Sequence, residues 1–354
     1  MPLLHSKSTM NQASNNNKNS AIETLRAAAV LLVFVHHLQS GANIAIPFFS
    51  VNGGWLGVQI FFVISGYLIF LSANQYQLGT YATHRFFRIY PAYFFWFLIF
   101  SIISGDLTSK PIETKSLLIH LLFLQHFFPE DYFNYNALYV SWTLSVEVAW
   151  YVLAFLFAKN FSKAPVKITV LVSFFSCLWV YWLFIYYPSF RSMSDVQRYF
   201  FAQNNVIAQL PFFLFGALIA RIKPKLDKTG LAAIFLSTVI FFPTWATHFQ
   251  NPIFITGLGV SALFLILNDL KYTNPKSISL LSDVSYSFYL IHYPIIVLVA
   301  KTTNNRYSVT IIALALTIAL SYMSYRFIEK PFIRIGKFFS NKTKPSRTST
   351  EAQF

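Results

Sequence analysis

The stretch AIETLRAAAVLLVFVHHL, residues 21–38, is largely apolar and long enough to cross a bilayer as one helix. Arg26 and His37 lie eleven positions apart in it. Because eleven residues at about 100° each return to nearly the same helix face, both side chains lie on one stripe, roughly 16 Å apart, and His36 lies about 80° off it. Ionisable residues within a span indicate a functional site, although a polar pair that only joins helices is the alternative.

The composition extends the membrane assignment to the whole chain. Of its 354 residues, 55% are hydrophobic and 11% are charged, whereas soluble domains average about 25% charged residues. The 40 Phe, 20 Tyr and 7 Trp residues fit a lipid-facing surface with aromatic belts at its edges. Cys177 is the only cysteine, which excludes a disulfide or a thiolate metal site within the chain.

Ten apolar stretches are candidate spans, and their order predicts the topology. Most of the 27 Lys and Arg residues fall in loops on the side of the N-terminus, so positive-inside orientation explains the basic charge and no nucleic-acid partner is predicted. We therefore predict an all-α polytopic membrane protein of about ten transmembrane helices, with both termini cytoplasmic. The spans are Ala21–Leu38, Trp55–Ser72, Ile89–Ser104, Trp142–Ala158, Ile168–Tyr187, Val206–Ala220, Leu231–Thr247, Ile253–Leu267, Val284–Ala300 and Val309–Phe327.

The chain divides into one membrane domain and two tails. Residues 1–20 are polar and rich in Asn and Ser, which predicts a disordered N-terminal tail. The membrane domain covers 21–334, and residues 335–354 are predicted to form a basic and polar C-terminal tail.

Counting from the predicted membrane edges brings three polar side chains to one level. At 1.5 Å per residue, His37 and Glu147 lie about 24 and 22 Å from the inner edge, and Gln59 lies at a similar depth. A carboxylate that fixes the tautomer of an imidazole makes a general base, with His37 as the base and Glu147 as its partner. A structural hydrogen bond between helices is the alternative. No third ligand is evident at this level, so no metal site is predicted.

Arg85 and Arg88 lie three residues apart at the cytoplasmic start of the third span. If the segment is helical, the two guanidiniums share a face and can bind phosphates bidentately, although anchoring at the inner surface explains them equally well. His292 either lines the same cavity or bonds to a neighbouring helix. The candidates for lining this cavity are His36, Gln59, Ser65, Tyr286 and His292.

Six motifs, taken in order, resemble the acyltransferase-3 family of bacterial membrane O-acyltransferases. The resemblance extends from Ile22 to Phe332, and Arg26 and His37 match its Arg-x10-His element. The motifs are IETLRAAAVLLVFVHHL (22–38), GGWLGVQIFFVISGYLIF (53–70), RFFRIYPAYFF (85–95), SWTLSVEVAWYVL (141–153), SYSFYLIHYPI (285–295) and YRFIEKPF (325–332).

The resemblance implies transfer of an acyl group, usually acetyl from acetyl-CoA, to a carbohydrate hydroxyl. It also implies that His37 is essential and that Arg85 and Arg88 hold the acyl donor. Gln59 stands where the family often has Asp, so no catalytic role is assigned to it. Many relatives carry an additional extracytoplasmic hydrolase-like domain, and none is expected in this sequence.

The leading hypothesis is an O-acetyltransferase of the bacterial inner membrane. Acetyl-CoA is its donor substrate, no bound cofactor is expected, and the acceptor is a cell-surface or exported polysaccharide or its glycolipid precursor. Arg26 would add positive potential along the path of the donor. Direct attack by the acceptor hydroxyl and an acetyl-histidine intermediate both remain open. The alternatives are a transporter or flippase, in which the buried charges form a substrate path, and a structural membrane partner.

Overall fold

The computed structural model describes only part of the 354 residues. Within the described ranges every regular element is a helix and no strand occurs, which confirms the all-α prediction. These ranges are 19–104, 114–128, 131, 137–186, 194, 201–225, 227–246 and 253–342. The predicted tails therefore lie largely outside the described residues, at 1–18 and 343–354.

The α-helices are numbered in chain order. A 3-10 turn at Gln125–Phe127 and a π-helical turn at Tyr325–Glu329 accompany them. The helices are α1 (Ser20–Ala42), α2 (Phe49–Gln75), α3 (Leu78–Ile103), α4 (Thr114–Leu121), α5 (Trp142–Lys163), α6 (Pro165–Tyr186), α7 (Val206–Ile222), α8 (Lys228–Ala246), α9 (Ile253–Asp269), α10 (Lys276–Asp283), α11 (Ser285–Ala300), α12 (Arg306–Ser324) and α13 (Lys330–Lys342).

Among the described residues, seven helices are long and apolar enough to cross a bilayer. The pair α10 and α11, bent by 75°, makes an eighth if it forms one broken span, and α8 and α9 contain shorter apolar helices. Each of the ten predicted spans coincides with one of these helices. The chain is thus a multi-pass membrane protein, whereas the count of ten spans and the cytoplasmic termini stay predictions.

Local sequence signals determine where α1 begins and ends. Asn19 caps its N-terminus, since its side chain accepts the N–H of Ile22 at 3.1 Å. At the other end Asn43 adopts the left-handed conformation (φ 54°) and its N–H bonds to Gln39 O. Glu23 is buried and accepts from Asn274 and Ser279. These bonds tie the start of α1 to the region around α10.

The helices give the bundle two ends, which we name by their functional side chains. The arginine end is where α1 begins, α2 finishes at Gln75 and α3 begins at Leu78. The histidine end is where α1 finishes at Ala42 and α2 begins at Phe49. Helix α13 returns to the arginine end, where His84 Nε2 lies 2.9 Å from Ser340 Oγ.

Helices α2 and α7 cross in close contact through two glycines. A Cβ added at Gly216 would overlap Val63 O, and one added at Gly66 would overlap Phe213 O. Small residues at helix crossings allow the backbones of membrane helices to approach closely. Replacing either glycine forces the two helices apart. Phe213 of α7 also stacks at 4.4 Å on Phe62, which lines the cavity described below.

Gly216→Ala is expected to destabilise the protein by about 1–3 kcal/mol, because overpacking at a rigid backbone contact cannot relax through a side chain. The measurement is thermal unfolding of the purified protein in detergent. Gly79→Ala is the matched control, since a Cβ there meets no atom within 4 Å. The control should equal or slightly exceed wild-type stability, because Ala favours helix over Gly by roughly 1 kcal/mol. Equal unfolding temperatures for the two variants would contradict the close crossing.

Candidate active site

A cavity lies among α1, α2, α3, α5 and α11, and its lining is both polar and aromatic. It contains about 790 Å³ of empty space, its open mouth included. The polar lining comprises Arg26, Ser65, Arg85, Arg88, Thr143, Glu147, Tyr151, Ser285, Tyr286 and Tyr289. Three guanidiniums against one carboxylate leave an excess of positive charge in this lining, which favours an anionic ligand.

The cavity gathers most, but not all, of the residues selected from the sequence. It brings together Arg26, Ser65, Arg85, Arg88, Glu147 and Tyr286, whereas the lining does not include His36, His37, Gln59 or His292. His36 instead packs against α2, where its ring faces Gly54.

Arg88 is held by a buried carboxylate that the sequence analysis did not select. Its Nη1 donates to Glu329 Oε2 at 3.0 Å, and the side chain of Glu329 is fully buried while that of Arg88 is 25% exposed. A guanidinium has five N–H donors in a fixed fork. Because this ion pair uses only one side of the fork, the remaining donors of Arg88 are available to the cavity.

Glu329 is itself anchored by a short chain of hydroxyl groups. Ser287 Oγ donates to Glu329 Oε1 at 2.6 Å and lies 2.6 Å from Ser324 Oγ, which accepts from Trp96 Nε1 at 3.0 Å. Glu329 ends the π-helical turn between α12 and α13, and such turns often occur at functional sites. The carboxylate is thus positioned by α11 and α12 together, and it fixes the guanidinium of Arg88.

Arg85 is held by a hydroxyl group and two aromatic rings. Its Nη2 donates to Ser72 Oγ at 3.1 Å, and its Cζ lies 5.7 Å from the ring centroids of both Tyr81 and Tyr151. Cation–π contacts of this kind orient a guanidinium without neutralising its charge. Arg85 therefore adds to the positive potential of the cavity.

Glu147 lies in the cavity wall as the acceptor of two hydroxyl groups. Its Oε1 accepts from Ser65 Oγ at 2.8 Å and from Tyr151 OH at 2.9 Å. The prediction that Glu147 contacts His37 is wrong: that contact is absent from the hydrogen bonds of the described residues, and His37 has other partners.

The reason for this error is the place where α5 begins. The depth estimate took Trp142 to lie at the membrane edge, but Tyr139, just before α5, already packs against His37 with ring centroids 6.0 Å apart. Helix α5 therefore begins level with His37, inside the bundle. Glu147, five residues further along, lies about 7 Å nearer the arginine end, level with Ser65.

His37 is paired with a second histidine. His37 Nδ1 lies 2.9 Å from His292 Nε2 and 3.0 Å from Val33 O. His292 is fully buried on α11, and its Nδ1 lies 2.7 Å from Tyr289 O. The contact joins α1 to α11 near the histidine end.

The acceptors around this pair determine its neutral tautomers. A carbonyl oxygen only accepts, so His292 Nδ1 carries a proton that it donates to Tyr289 O, and His292 Nε2 carries a lone pair. His37 Nδ1 lies between that lone pair and Val33 O, so it also carries a proton. The lone pair of His37 is consequently on Nε2, where it can accept a proton from a ligand.

Two tyrosines complete the surroundings of His37. The rings of Tyr139 and Tyr293 stack 4.2 Å apart, and that of Tyr293 lies 5.4 Å from His37. Tyr139 has a backbone φ of 61°. Residues other than Gly adopt this left-handed conformation only with strain, and such strained residues often occur at functional sites. Burial raises the pKa of the Tyr139 hydroxyl, so this hydroxyl is a neutral hydrogen-bond donor at physiological pH.

Aromatic side chains lie between the cavity and the histidine pair. Tyr289 lines the cavity, and its ring lies 5.7 Å from that of His292 and 5.9 Å from that of Phe61. Its hydroxyl donates to Val140 O at 3.5 Å. Tyr289 and Phe61 are therefore the wall that a ligand in the cavity meets on the side of His37.

Glu329 and Ser287 were not selected from the sequence, and only Glu329 had a feature in the sequence that could have revealed it. Glu329 is the sole acidic residue between Arg306 and Lys342, and a lone carboxylate beside an apolar span requires a partner. Ser287 has no such signal, because serines are common in membrane helices and only the fold brings this one to Glu329.

A family model described as an acyltransferase domain matches residues 19–326. The chain belongs to this family, acyltransferase-3. This confirms the resemblance carried by the six motifs. The matched region contains all five helices that line the cavity, together with both histidines.

Two of the named relatives are O-acetyltransferases of bacteria. The chain is 27% identical to the peptidoglycan O-acetyltransferase OatA of Listeria monocytogenes, over 91% of this chain and 58% of that protein. It is 28% identical to the O-acetyltransferase OatA of Staphylococcus aureus, over 89% of this chain and 57% of that protein. The chain thus spans less than two thirds of the length of these relatives. No solved structure matches it.

Proposed function

We propose that this acyltransferase-3 protein transfers an acetyl group from acetyl-CoA to a hydroxyl of a cell-surface or exported polysaccharide, or of its lipid-linked precursor, in the bacterial inner membrane. Family membership and the names of the relatives support O-acetylation of a glycan by a membrane protein. The identity of the donor and the inner-membrane location are our own inference from the charge of the site and the basic loops.

A single observation carries the proposal: a cation-lined cavity ends beside a histidine pair whose tautomers leave His37 Nε2 as a base. Acetyl-CoA fits both the cations and the base. Its nucleotide portion carries several negative charges that the cations can bind, while its neutral thioester end can lie beside the base. Arg85 and Arg88 would bind the phosphates at the arginine end, which we assign to the cytoplasm. The pantetheine chain would extend past Ser65 and Glu147 towards Tyr289.

The chemistry follows from these positions. His37 Nε2 removes the proton of the acceptor hydroxyl, and the oxygen attacks the thioester carbonyl. The C–S bond breaks, and the thiolate of CoA takes up the proton from the imidazolium. His292 keeps Nε2 of His37 in the basic tautomer throughout. For this to occur, Tyr289 and Phe61 must rotate or the thioester must pass between them.

The test uses membranes that contain the protein and acetyl-CoA labelled in the acetyl group. We expect label in base-labile esters of the membrane or surface glycan, and a matching mass shift in glycans from cells that carry the protein. Glycan movement across the membrane without consumption of acetyl-CoA would instead establish a transporter and overturn the proposal.

His292→Phe is expected to lower kcat by about 10–100-fold and to leave the KM for acetyl-CoA near its wild-type value. Phe keeps the ring volume but cannot accept from His37 Nδ1, so one of the two acceptors that orient the base is lost and only Val33 O remains. Supporting partners of this kind contribute about that factor. Steady-state kinetics with labelled acetyl-CoA measures the effect. An unchanged kcat would show that Val33 O alone positions His37.

A further inference from the structure

Another cavity is a groove among α2, α5, α6 and α7, which we call the apolar groove. It contains about 760 Å³ of empty space, its open side included, and it shares none of its described lining residues with the active-site cavity. Every described residue in its lining is apolar except Asn160. Phe157 belongs to the lining and is 52% exposed, so the groove is accessible from the surrounding bilayer. Other lining residues are Phe70, Trp150, Phe161, Ile168 and Leu214.

The apolar groove exists because α5 and α6 separate beyond the turn that joins them. Helix α6 begins at Pro165, directly after α5, but it packs much more against α7 than against α5. Leu214 of α7 lines the gap, and at its edge the rings of Phe70 and Phe161 lie 5.4 Å apart. An empty gap of this size would lose dispersion contacts along its walls, so the groove is expected to hold a ligand from the bilayer.

The length of the apolar groove matches one leaflet of a bilayer. On α5 its lining extends from Trp150 to Phe161, which is eleven residues or about 16 Å along the helix axis. Half of a hydrocarbon core of about 30 Å is about 15 Å. Phe161 contacts Phe70, which lies near the arginine end of α2, so the groove extends from that surface of the membrane to its middle. An acyl chain can therefore lie in it over the full depth of its leaflet.

Basic side chains lie beside the arginine end of the apolar groove. Lys163 is three residues after Asn160 and shares its face of α5, and Lys159 is one turn before Lys163. Arg221 at the end of α7 donates from its Nε to Ser162 O at 3.2 Å, which brings a third cation to the same place. All three cations are exposed, so they can contact the headgroup of a lipid.

The sequence around this place is strongly basic. Residues 159–167 and 221–228 contain seven Lys or Arg residues and one acidic residue, Asp227, whose carboxylate accepts from the N–H of Thr229 at 3.1 Å. Lipid tails are as apolar as the groove itself, so hydrophobicity gives little preference for one lipid over another. Selection must therefore come from the headgroup, and these cations favour an anionic one.

We propose that the apolar groove binds a phospholipid with an anionic headgroup from the leaflet at the arginine end. One acyl chain lies between α5 and α6, and the phosphate lies beside Lys159, Lys163 and Arg221. A sugar or a nucleotide would leave polar groups without partners in this lining, so neither substrate of the proposed reaction competes for the groove. The lipid is thus a ligand in addition to those substrates, and its binding does not depend on acetyl transfer.

Trp150 provides the readout for lipid in the apolar groove, because bromine atoms quench tryptophan fluorescence on contact and Trp150 lines the deep end. The probes are phosphatidylglycerol, which is anionic, and phosphatidylcholine, which is zwitterionic, both brominated midway along their acyl chains. Each is titrated into the purified full-length protein in detergent micelles. The signal is the quenching of the wild type minus that of Trp150→Phe. We expect phosphatidylglycerol to reach half of this signal at a concentration about tenfold or more below that of phosphatidylcholine.

Lys159→Gln/Lys163→Gln is the decisive variant, because both side chains are exposed and their replacement leaves the lining of the groove intact. We expect binding of phosphatidylglycerol to weaken about fivefold for each lysine removed, the contribution of one cation near an anionic headgroup. Binding of phosphatidylcholine should stay at the wild-type level. Native mass spectrometry, which counts the lipids that the protein retains, gives the same comparison without the Trp150→Phe variant.

Lys271→Gln/Lys276→Gln is the matched control. It removes two exposed cations at the same end of the bundle, but this segment follows Asn268, which accepts from Asn19 at the start of α1 at 2.7 Å. Helix α1 does not contribute to the described lining of the groove, so the affinity for phosphatidylglycerol should equal that of the wild type. Equal affinity of the wild type for the two lipids, or no quenching that depends on Trp150, would overturn the lipid site. Wild-type affinity in the decisive variant, or the same loss of affinity in the control, would also overturn it.

Discussion

His37→Ala is expected to lower acetyl transfer by roughly 10²–10⁴-fold in kcat, the usual contribution of a general base. The reason is that the tautomers of the histidine pair leave the lone pair on Nε2 of His37 free to accept a proton. The measurement is incorporation of labelled acetyl groups into glycan by membranes that contain equal amounts of each variant. The KM for acetyl-CoA should change little, because in the proposed mechanism the arginines, and not His37, hold the donor.

His36→Ala provides the control for this experiment. It removes the adjacent imidazole from the same helix, but His36 faces Gly54 on α2 and lies outside the cavity lining. Its transfer rate should remain within a few-fold of wild type. Wild-type rates in His37→Ala would eliminate the proposed mechanism, and equal losses in both variants would indicate that α1 had been displaced.

The same variant separates direct attack from an acetyl-histidine intermediate. If the imidazole is acetylated first, the wild type incubated with labelled acetyl-CoA and no acceptor retains label on the protein, and His37→Ala does not. If the hydroxyl attacks directly, neither protein is labelled. In both routes CoA leaves as its thiol and the proton of the acceptor hydroxyl is accounted for by the imidazole.

Features that depend on one helix could be predicted from the sequence. The periodicity of α1 places Arg26 and His37 on one stripe and His36 off it, and the apolar stretches locate the helices. The three-residue spacing of Arg85 and Arg88 likewise places both in one wall of the cavity. These predictions require only the pitch of a helix and the thickness of a bilayer.

Features that depend on how helices meet could not be predicted. Glu329 pairs with Arg88 across 241 positions of sequence, and no pattern within either segment indicates the other. The partner of His37 was misassigned because residues 138–141 enter the bundle before α5 begins, so that a depth counted from the membrane edge was wrong for Glu147.

Replacing the Arg88–Glu329 ion pair is expected to have the second large effect. In the double variant Arg88→Gln/Glu329→Gln, a neutral amide pair takes the place of the ion pair, so no buried charge is left uncompensated. The KM for acetyl-CoA should rise about 10–100-fold, because a hydrogen bond to a charged group contributes roughly 1.5–3 kcal/mol. The kcat should change far less, since the base is untouched.

Acetylpantetheine, a donor without the nucleotide and its phosphates, makes this result specific. If Arg88 binds phosphate, the wild type and the double variant should use acetylpantetheine equally well, and the difference between them should appear only with acetyl-CoA. Glu329→Gln alone keeps the cation but loosens its position, so its KM should lie between the two. The same loss with both donors would mean that the ion pair supports the fold of α3, α11 and α12 and does not hold the donor. In that case the cationic cavity would need another explanation, because the fixed position of Arg88 and its remaining N–H donors are the basis for assigning it to the phosphates.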